Sequence, residues 1–135
     1  MNQRVLLVMS PTRRLPLLKI LENAGFQVFA ASGLSEAQQK LDISVSFDLV
    51  CVDAELPDGN WRDVLLSIIG SRKQCEMIVC SRCGDERLWA DVLQSGAYDL
   101  IVEPYTERET LRIFQRALDA RYMQRFVPAP AAQAS

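Results

Sequence analysis

Five short apolar runs, each followed by a stretch of helical character, constrain this chain more than any other feature. Val5-Leu6-Leu7-Val8 is apolar without alternation, the pattern of a strand buried on both faces. Further runs lie at Phe26 to Ala30, Asp48 to Asp53, Met77 to Ser81 and Tyr98 to Val102. Between them, Leu15, Leu18, Leu21 and Ala24 recur at helical spacing until Gly25, and Ala37 and Leu41 face inward on a short helix from Ser35 to Leu41. Asn60 can cap a third helix reaching Ile69, with Asp63 in its first turn and Gly70 at its end. Asp85 caps a fourth helix that Gly96 ends, and Thr106-Glu107-Arg108-Glu109 is a capping box for a last helix running to about Phe126. Strands alternating with helices require an α/β fold with a doubly wound parallel sheet. Right-handed crossovers give the flavodoxin-like strand order 2-1-3-4-5.

At 135 residues the chain is long enough for one packed core without staples. The expected domain covers residues 1–126, and the Pro/Ala-rich segment 127–135 reads as a linker or disordered tail. A net charge of −2 gives no basic surface for nucleic acid or anionic membrane, although Arg13, Arg14 and Lys19 form a small basic patch. No apolar run approaches the ~20 residues of a membrane span. Met1-Asn2-Gln3-Arg4 leads straight into a strand without signal-peptide architecture, so a cytoplasmic location is expected. Histidine is absent, which removes the commonest acid/base group and metal ligand. Of the four cysteines, only Cys80 and Cys83 have ligand-like or redox-like spacing; Cys51 and Cys75 lie apart in sequence. Reduced structural thiols are the simpler reading of all four.

The run ending Val50-Cys51-Val52-Asp53 delivers a carboxylate to the carboxyl edge of the sheet, and Pro57-Asp58-Gly59 turns the chain immediately afterwards. Ligands bind at that edge in open α/β sheets, although aspartate also simply ends strands. The segment Phe47 to Asn60, FDLVCVDAELPDGN, resembles the phosphoacceptor segment of response-regulator receiver domains, the CheY-like family. The likeness continues in MIVCS (77–81) and LQSGAYDLIVEPY (93–105), and spans roughly residues 4 to 120. The resemblance implies a (βα)5 fold in which Asp53 occupies the phosphoacceptor position.

Phosphoryl transfer to a carboxylate needs a divalent cation, a fixed cation and a hydrogen-bond donor around the phosphoryl oxygens. Matched to the family, the two acidic metal ligands after strand 1 are replaced by Met9 and Ser10, and the lysine before proline by Glu103. Magnesium prefers carboxylates and water to a thioether. Asp53 and the backbone carbonyl of Glu55 are all that remain of the metal set, so no metal or other cofactor is expected. Ser81 keeps the family's hydroxyl, Leu100 replaces the switch aromatic, and Trp61 stands where many members carry glycine. Each departure also has a plain reading: Met9 packing on a loop, Leu100 filling core, Ser81 capping a turn. Arg82, where the family keeps a small residue, is the nearest sequence candidate to neutralise Asp53 and Glu103, unless it points to solvent.

The expected role is therefore a pseudo-receiver: a phosphorylation-independent protein-interaction module in two-component signalling, with no catalytic residues. The alternative is a metal-dependent switch phosphorylated on Asp53 by a histidine kinase. A thiol sensor using Cys80 and Cys83 is a third reading. The expected partner is a protein (a histidine kinase, an output domain or a second copy), with nucleic acid reached only through an attached output domain. With Ala90 and Leu93 taken as the inward stripe of the fourth helix, Trp89 lies nearer solvent and forms a docking surface with Val92 or Leu88, or else tucks against the last helix. Leu111, Phe114, Leu118 and Tyr122 form the apolar stripe of that last helix, and Arg108, Arg112, Arg116, Arg121 and Arg125 its solvated face. A homodimer through the fourth helix, fifth strand and fifth helix follows as an expectation.

Overall fold

A computed structural model of the chain describes residues 3–42, 46–71 and 75–126. In chain order its elements are β1 (Arg4–Val8), α1 (Pro11–Asn23), β2 (Gln27–Ala31), α2 (Leu34–Asp42), β3 (Leu49–Asp53), β4 (Glu55–Leu56), β5 (Gly59–Asn60), α3 (Trp61–Ser71), β6 (Glu76–Ser81), α4 (Glu86–Gln94), β7 (Asp99–Val102) and α5 (Glu107–Phe126). The five long strands form one parallel sheet in the order β2-β1-β3-β6-β7. With the two-residue antiparallel ribbon β4–β5 set aside, this is the expected 2-1-3-4-5. The tail expected over 127–135, and the side chains of Tyr122 and Arg125, lie outside the described residues.

The central strand β3 is buried at every position, as a strand covered on both faces must be. Its alternate side chains feed two cores. Val50 and Val52 join Leu6, Val8, Ala37, Leu41, Val64, Ile68 and Val92 beneath α2, α3 and α4. Leu49 and Cys51 join Val5, Leu7, Leu17, Leu21, Ile78, Ile113 and Phe114 beneath α1 and α5. Phe26 meets Phe114 edge-on with centroids 6.0 Å apart, closing the second core at its base.

Helix caps follow the sequence closely. Asn60 Oδ1 accepts from the Arg62 amide at 2.9 Å while Asp63 Oδ2 accepts from the Asn60 amide at 3.0 Å, so α3 opens on a reciprocal cap. Asp85 accepts from the Arg87 amide at 2.8 Å, and Thr106 Oγ1 from the Glu109 amide at 3.2 Å. Gly25 and Gly96 follow α1 and α4 with φ of 93° and 100°, the left-handed conformation that lets the chain turn back into a strand.

Three helical registers differ in part from the expectation, although Leu21, Phe114 and Leu118 are buried and Trp89 exposed as expected. On α1 the buried positions are Leu17 and Leu21, while Leu15 is exposed. One turn before Leu17 on that stripe stands Arg13, so the burial of α1 also aims Arg13 over the sheet's edge. On α4 Leu88 and Val92 face inward, and Trp89 and Leu93 face out. Val92 has the reach to fill the core between β6 and β7, which Ala90 lacks. On α5 Phe114 and Leu118 are buried as expected, joined by Ile113 and Ala117, while Leu111 is only half-buried. Arg121 continues that inner side and pairs with Asp48 at 3.0 Å, so it does not belong to a solvated face.

Candidate functional site

Asp53 ends β3 at the point where neighbouring connections run to opposite sides of the sheet, between β1 and β6. It is only 3% exposed. Its partner is Arg13, whose Nη1 lies 3.1 Å from Asp53 Oδ1 and 2.9 Å from Oδ2. The other terminal nitrogen, Nη2, donates to Glu103 Oε1 at 3.0 Å. One guanidinium thus bridges two carboxylates carried by β3 and by the end of β7. The arginine fork suits this task because its terminal nitrogens diverge in one plane.

Burial pushes the Asp53 carboxyl above its usual pKa, against the opposing effects of the Arg13 charge and of the hydrogen bond from the Glu55 backbone amide. Burial likewise disfavours the charge on Arg13, but Asp53 and Glu103 outweigh it and hold the guanidinium protonated. The arrangement is a partly buried triad in which a single cation is shared by two carboxylates. Removing one member would leave an uncompensated charge.

The expected cation at this position, Arg82, is corrected by the structure to Arg13. Arg82 is exposed and forms no ion pair among the described residues; it stands close enough to lower the Asp53 pKa through its charge, but does not make the bidentate contact. Glu103 and Asp53 do converge, as expected, whereas the Glu55 side chain faces solvent. Met9 is fully buried in the α1/α5 core, and its amide donates to the Ala31 carbonyl at 3.0 Å. Ser10 precedes α1 as its cap residue without a side-chain cap bond, and its carbonyl receives the amides of Arg13 and Arg14. Ser81 turns its hydroxyl into the following loop, donating to the Cys83 carbonyl at 3.0 Å and accepting from the Cys83 amide at 3.2 Å. Leu100 is buried in the α2–α4 core.

These placements decide how well magnesium fits. Met9 carries a thioether turned into the core, Ser10 offers a neutral hydroxyl, and both Asp53 oxygens lie against Arg13. Among the described residues no group of three or more His, Cys, Asp or Glu could hold a metal ion. The donor set does not fit a hard divalent cation.

Arg13, Asp53, Ser81 and Arg82 line an open cleft of about 810 Å³ that extends to Trp61 and Leu88. Trp61 is buried, with the Arg62 guanidinium 4.9 Å over its ring. On the far side of α4, Trp89 is 51% exposed and borders a small groove with Leu100 and Val102. Cys80 lies against Cys51, Sγ to Sγ 3.0 Å, and not against Cys83, which is exposed. Among the described residues no helix is long and apolar enough to cross a membrane.

The family model of the response regulator receiver domain matches residues 10–115. The chain is 31% identical over 121 residues to the chemotaxis protein CheY of Bacillus subtilis (strain 168), covering 88% of this chain and 100% of that protein. It is 30% identical over 112 residues to the transcriptional regulatory protein SrrA of Staphylococcus aureus (strain NCTC 8325 / PS 47), covering 82% of this chain and 46% of SrrA. A CheY-like receiver domain from Methanospirillum hungatei JF-1 superposes with a TM-score of 0.80 at 25% identity, covering 92% of this chain and 99% of that structure.

Proposed function

Because the chain belongs to the response regulator receiver domain family, and so to two-component signal transduction, we propose that it is a pseudo-receiver: a regulatory binding module that works without phosphorylation of Asp53. The observation that carries this reading is the Arg13 bridge. In-line attack by a carboxylate requires a free oxygen aimed at phosphorus and cations around the transferring group. Here both oxygens of Asp53 face Arg13, and Glu103 puts a negative charge where the resemblance implies a positive one. The guanidinium supplies internally a positive charge at the position where a metal and a lysine would act on a phosphorylated site.

The module acts by docking proteins and not by catalysis. Trp89, Leu93 and the groove bordered by Leu100 and Val102 form its contact face across α4 and β7. A partly exposed tryptophan beside an apolar groove is the kind of anchor that interfaces use. A histidine kinase, an output domain or a second copy of the chain is the partner class, in the cytoplasm where two-component receivers meet their kinases. SrrA, matched over less than half its length, is a transcriptional regulator, and attachment to an output domain is one way such a module reaches nucleic acid.

Incubation with acetyl phosphate and magnesium, followed by intact-mass spectrometry, tests the proposal. The expected result is an unmodified chain. A phosphoryl adduct present in the parent and absent in Asp53→Asn would overturn it in favour of a phosphoacceptor switch.

A further inference from the structure

Cys51 and Cys80 sit on adjacent parallel strands, β3 and β6, with their thiols turned to the same core. In register, Cys51 faces Ile78 and Cys80 faces Asp53, so the cysteines are diagonal neighbours. Their sulfurs lie 3.0 Å apart, roughly 1 Å more than a covalent sulfur–sulfur bond. Both thiols are fully buried, so oxidants reach them slowly while the core stays closed.

Tyr105 packs on the same core cluster. Its hydroxyl is buried yet has no hydrogen-bond partner among the described residues. It lies close enough to Cys80 and Cys51 for each to act on its ionisation, which burial also opposes. Tyr105 also lines an open cleft of about 460 Å³ with Thr12, Pro16, Glu103 and Pro104. Tyr105 therefore borders both the cleft and the core that holds the two thiols, and among the described residues no hydrogen bond from its hydroxyl holds it there. A buried hydroxyl without a partner gains a hydrogen bond to water when it moves out.

We infer that Cys51 and Cys80 form a redox pair gated by Tyr105, which closes an internal disulfide when a peroxide enters through this cleft. With the ring displaced, one cysteine sulfur is oxidised by hydrogen peroxide to a sulfenic acid as one water leaves. The second sulfur attacks the first, the sulfur–oxygen bond breaks, and the hydroxyl leaves with the second thiol's proton as another water. Two thiols and one peroxide give one disulfide and two waters, and a reducing thiol reverses the closure. Cys51 stands two residues before Asp53 and Cys80 immediately before Ser81. The bond thus ties together the two strand ends that carry the candidate site, with or without a role for Arg13.

The test uses the full chain carrying Cys75→Ser and Cys83→Ser, so that only this pair remains. After hydrogen peroxide treatment, alkylation under denaturing conditions and peptide mapping, a monomeric Cys51–Cys80 disulfide reducible by dithiothreitol is expected. Tyr105→Ala should close the bond at least about tenfold faster, because access follows the local opening equilibrium. Tyr105→Phe, which keeps the ring and removes the unpartnered hydroxyl, should close no faster than the parent. Circular dichroism establishes that each variant is folded. Two free thiols after treatment would overturn the pair. A folded Tyr105→Ala variant that closes at the parent rate, or closure that tracks exchange of the β3 core amides, would overturn the gate.

Discussion

Replacing Arg13 by methionine removes the positive charge from the triad while keeping most of the aliphatic stem over the sheet edge. Asp53, 4% exposed at its side chain, then faces Glu103 with no bridging cation. Breaking a buried pair by deleting one partner costs about 3–5 kcal/mol. The Glu103 arm, a third exposed, adds at most about 1 kcal/mol because water screens it. Arg13 is itself 17% exposed, which places the expected total near the lower bound, about 3 kcal/mol at neutral pH. The loss must depend on pH. Burial already raises the Asp53 pKa, and Arg13 is the first influence opposing it, so the variant's folded pKa moves further above the unfolded value. A raised folded pKa contributes stability that is present below the unfolded pKa and lost as pH rises through the folded one. Arg13→Met should therefore lie close to the parent in acid and fall progressively behind it as pH rises. Urea denaturation across pH, with unchanged m-values, measures this directly. Adding Asp53→Asn should return much of the loss, because the orphaned charge is gone. A pH-independent deficit below about 1 kcal/mol would refute the reasoning, since it would class the bridge with ordinary surface pairs.

Other consequences can be checked separately. Phe114→Ala, which empties a fully buried position under α1 and α5, should cost about 3–5 kcal/mol in denaturant melts. The Asp58 carboxylate accepts the Ser35 and Leu34 amides at 3.0 and 2.7 Å, which holds its pKa below the usual range. Its contribution should be present above the unfolded carboxyl pKa and lost as pH falls through the depressed folded one. Asp58→Ala should remove that acid dependence and speed exchange of the Leu34 and Ser35 amides. Trp89→Ala should leave urea stability nearly unchanged because Trp89 is half exposed. In sedimentation equilibrium, any self-association through this face should weaken by about 2 kcal/mol or more.

The strand pattern was legible because β3 and β1 are buried on both faces and show it as unbroken apolar runs. Asn60, Asp85 and Thr106 marked helix starts because a capping side chain acts within a few residues of itself. Registers were harder to read where a helix carries apolar residues around most of its girth. Leu15, Leu17, Leu18, Ile20 and Leu21 all lie within two turns of α1, and only packing against α5 and the sheet selects Leu17 and Leu21. On α4 the choice of Leu88 and Val92 over Ala90 and Leu93 was likewise made by the space between strands. The family positions of Asp53 and Glu103 could be read, but the cation joining them could not, because Arg13 comes from an element 40 residues away from Asp53 and 90 from Glu103. One signal was present. Arg13 and Arg14 occupy the first turn of α1, which contains no acidic residue. Cations are disfavoured at that end of the helix dipole, and a partner elsewhere offsets the penalty. Arg82, adjacent to Ser81 in sequence, drew attention by proximity along the chain, which does not govern proximity across a sheet edge.

The most direct test of the Arg13 bridge is a magnesium titration followed by NMR of the Asp53 carboxylate carbon and the Arg13 guanidinium nitrogens. If Arg13 neutralises the site, its Nη hydrogens exchange slowly with water, and millimolar magnesium shifts neither the Asp53 carboxylate nor the Arg13 signals. A saturable shift of Asp53 with concurrent loss of the slow Arg13 hydrogens would contradict the account, because it would show the metal displacing the arginine.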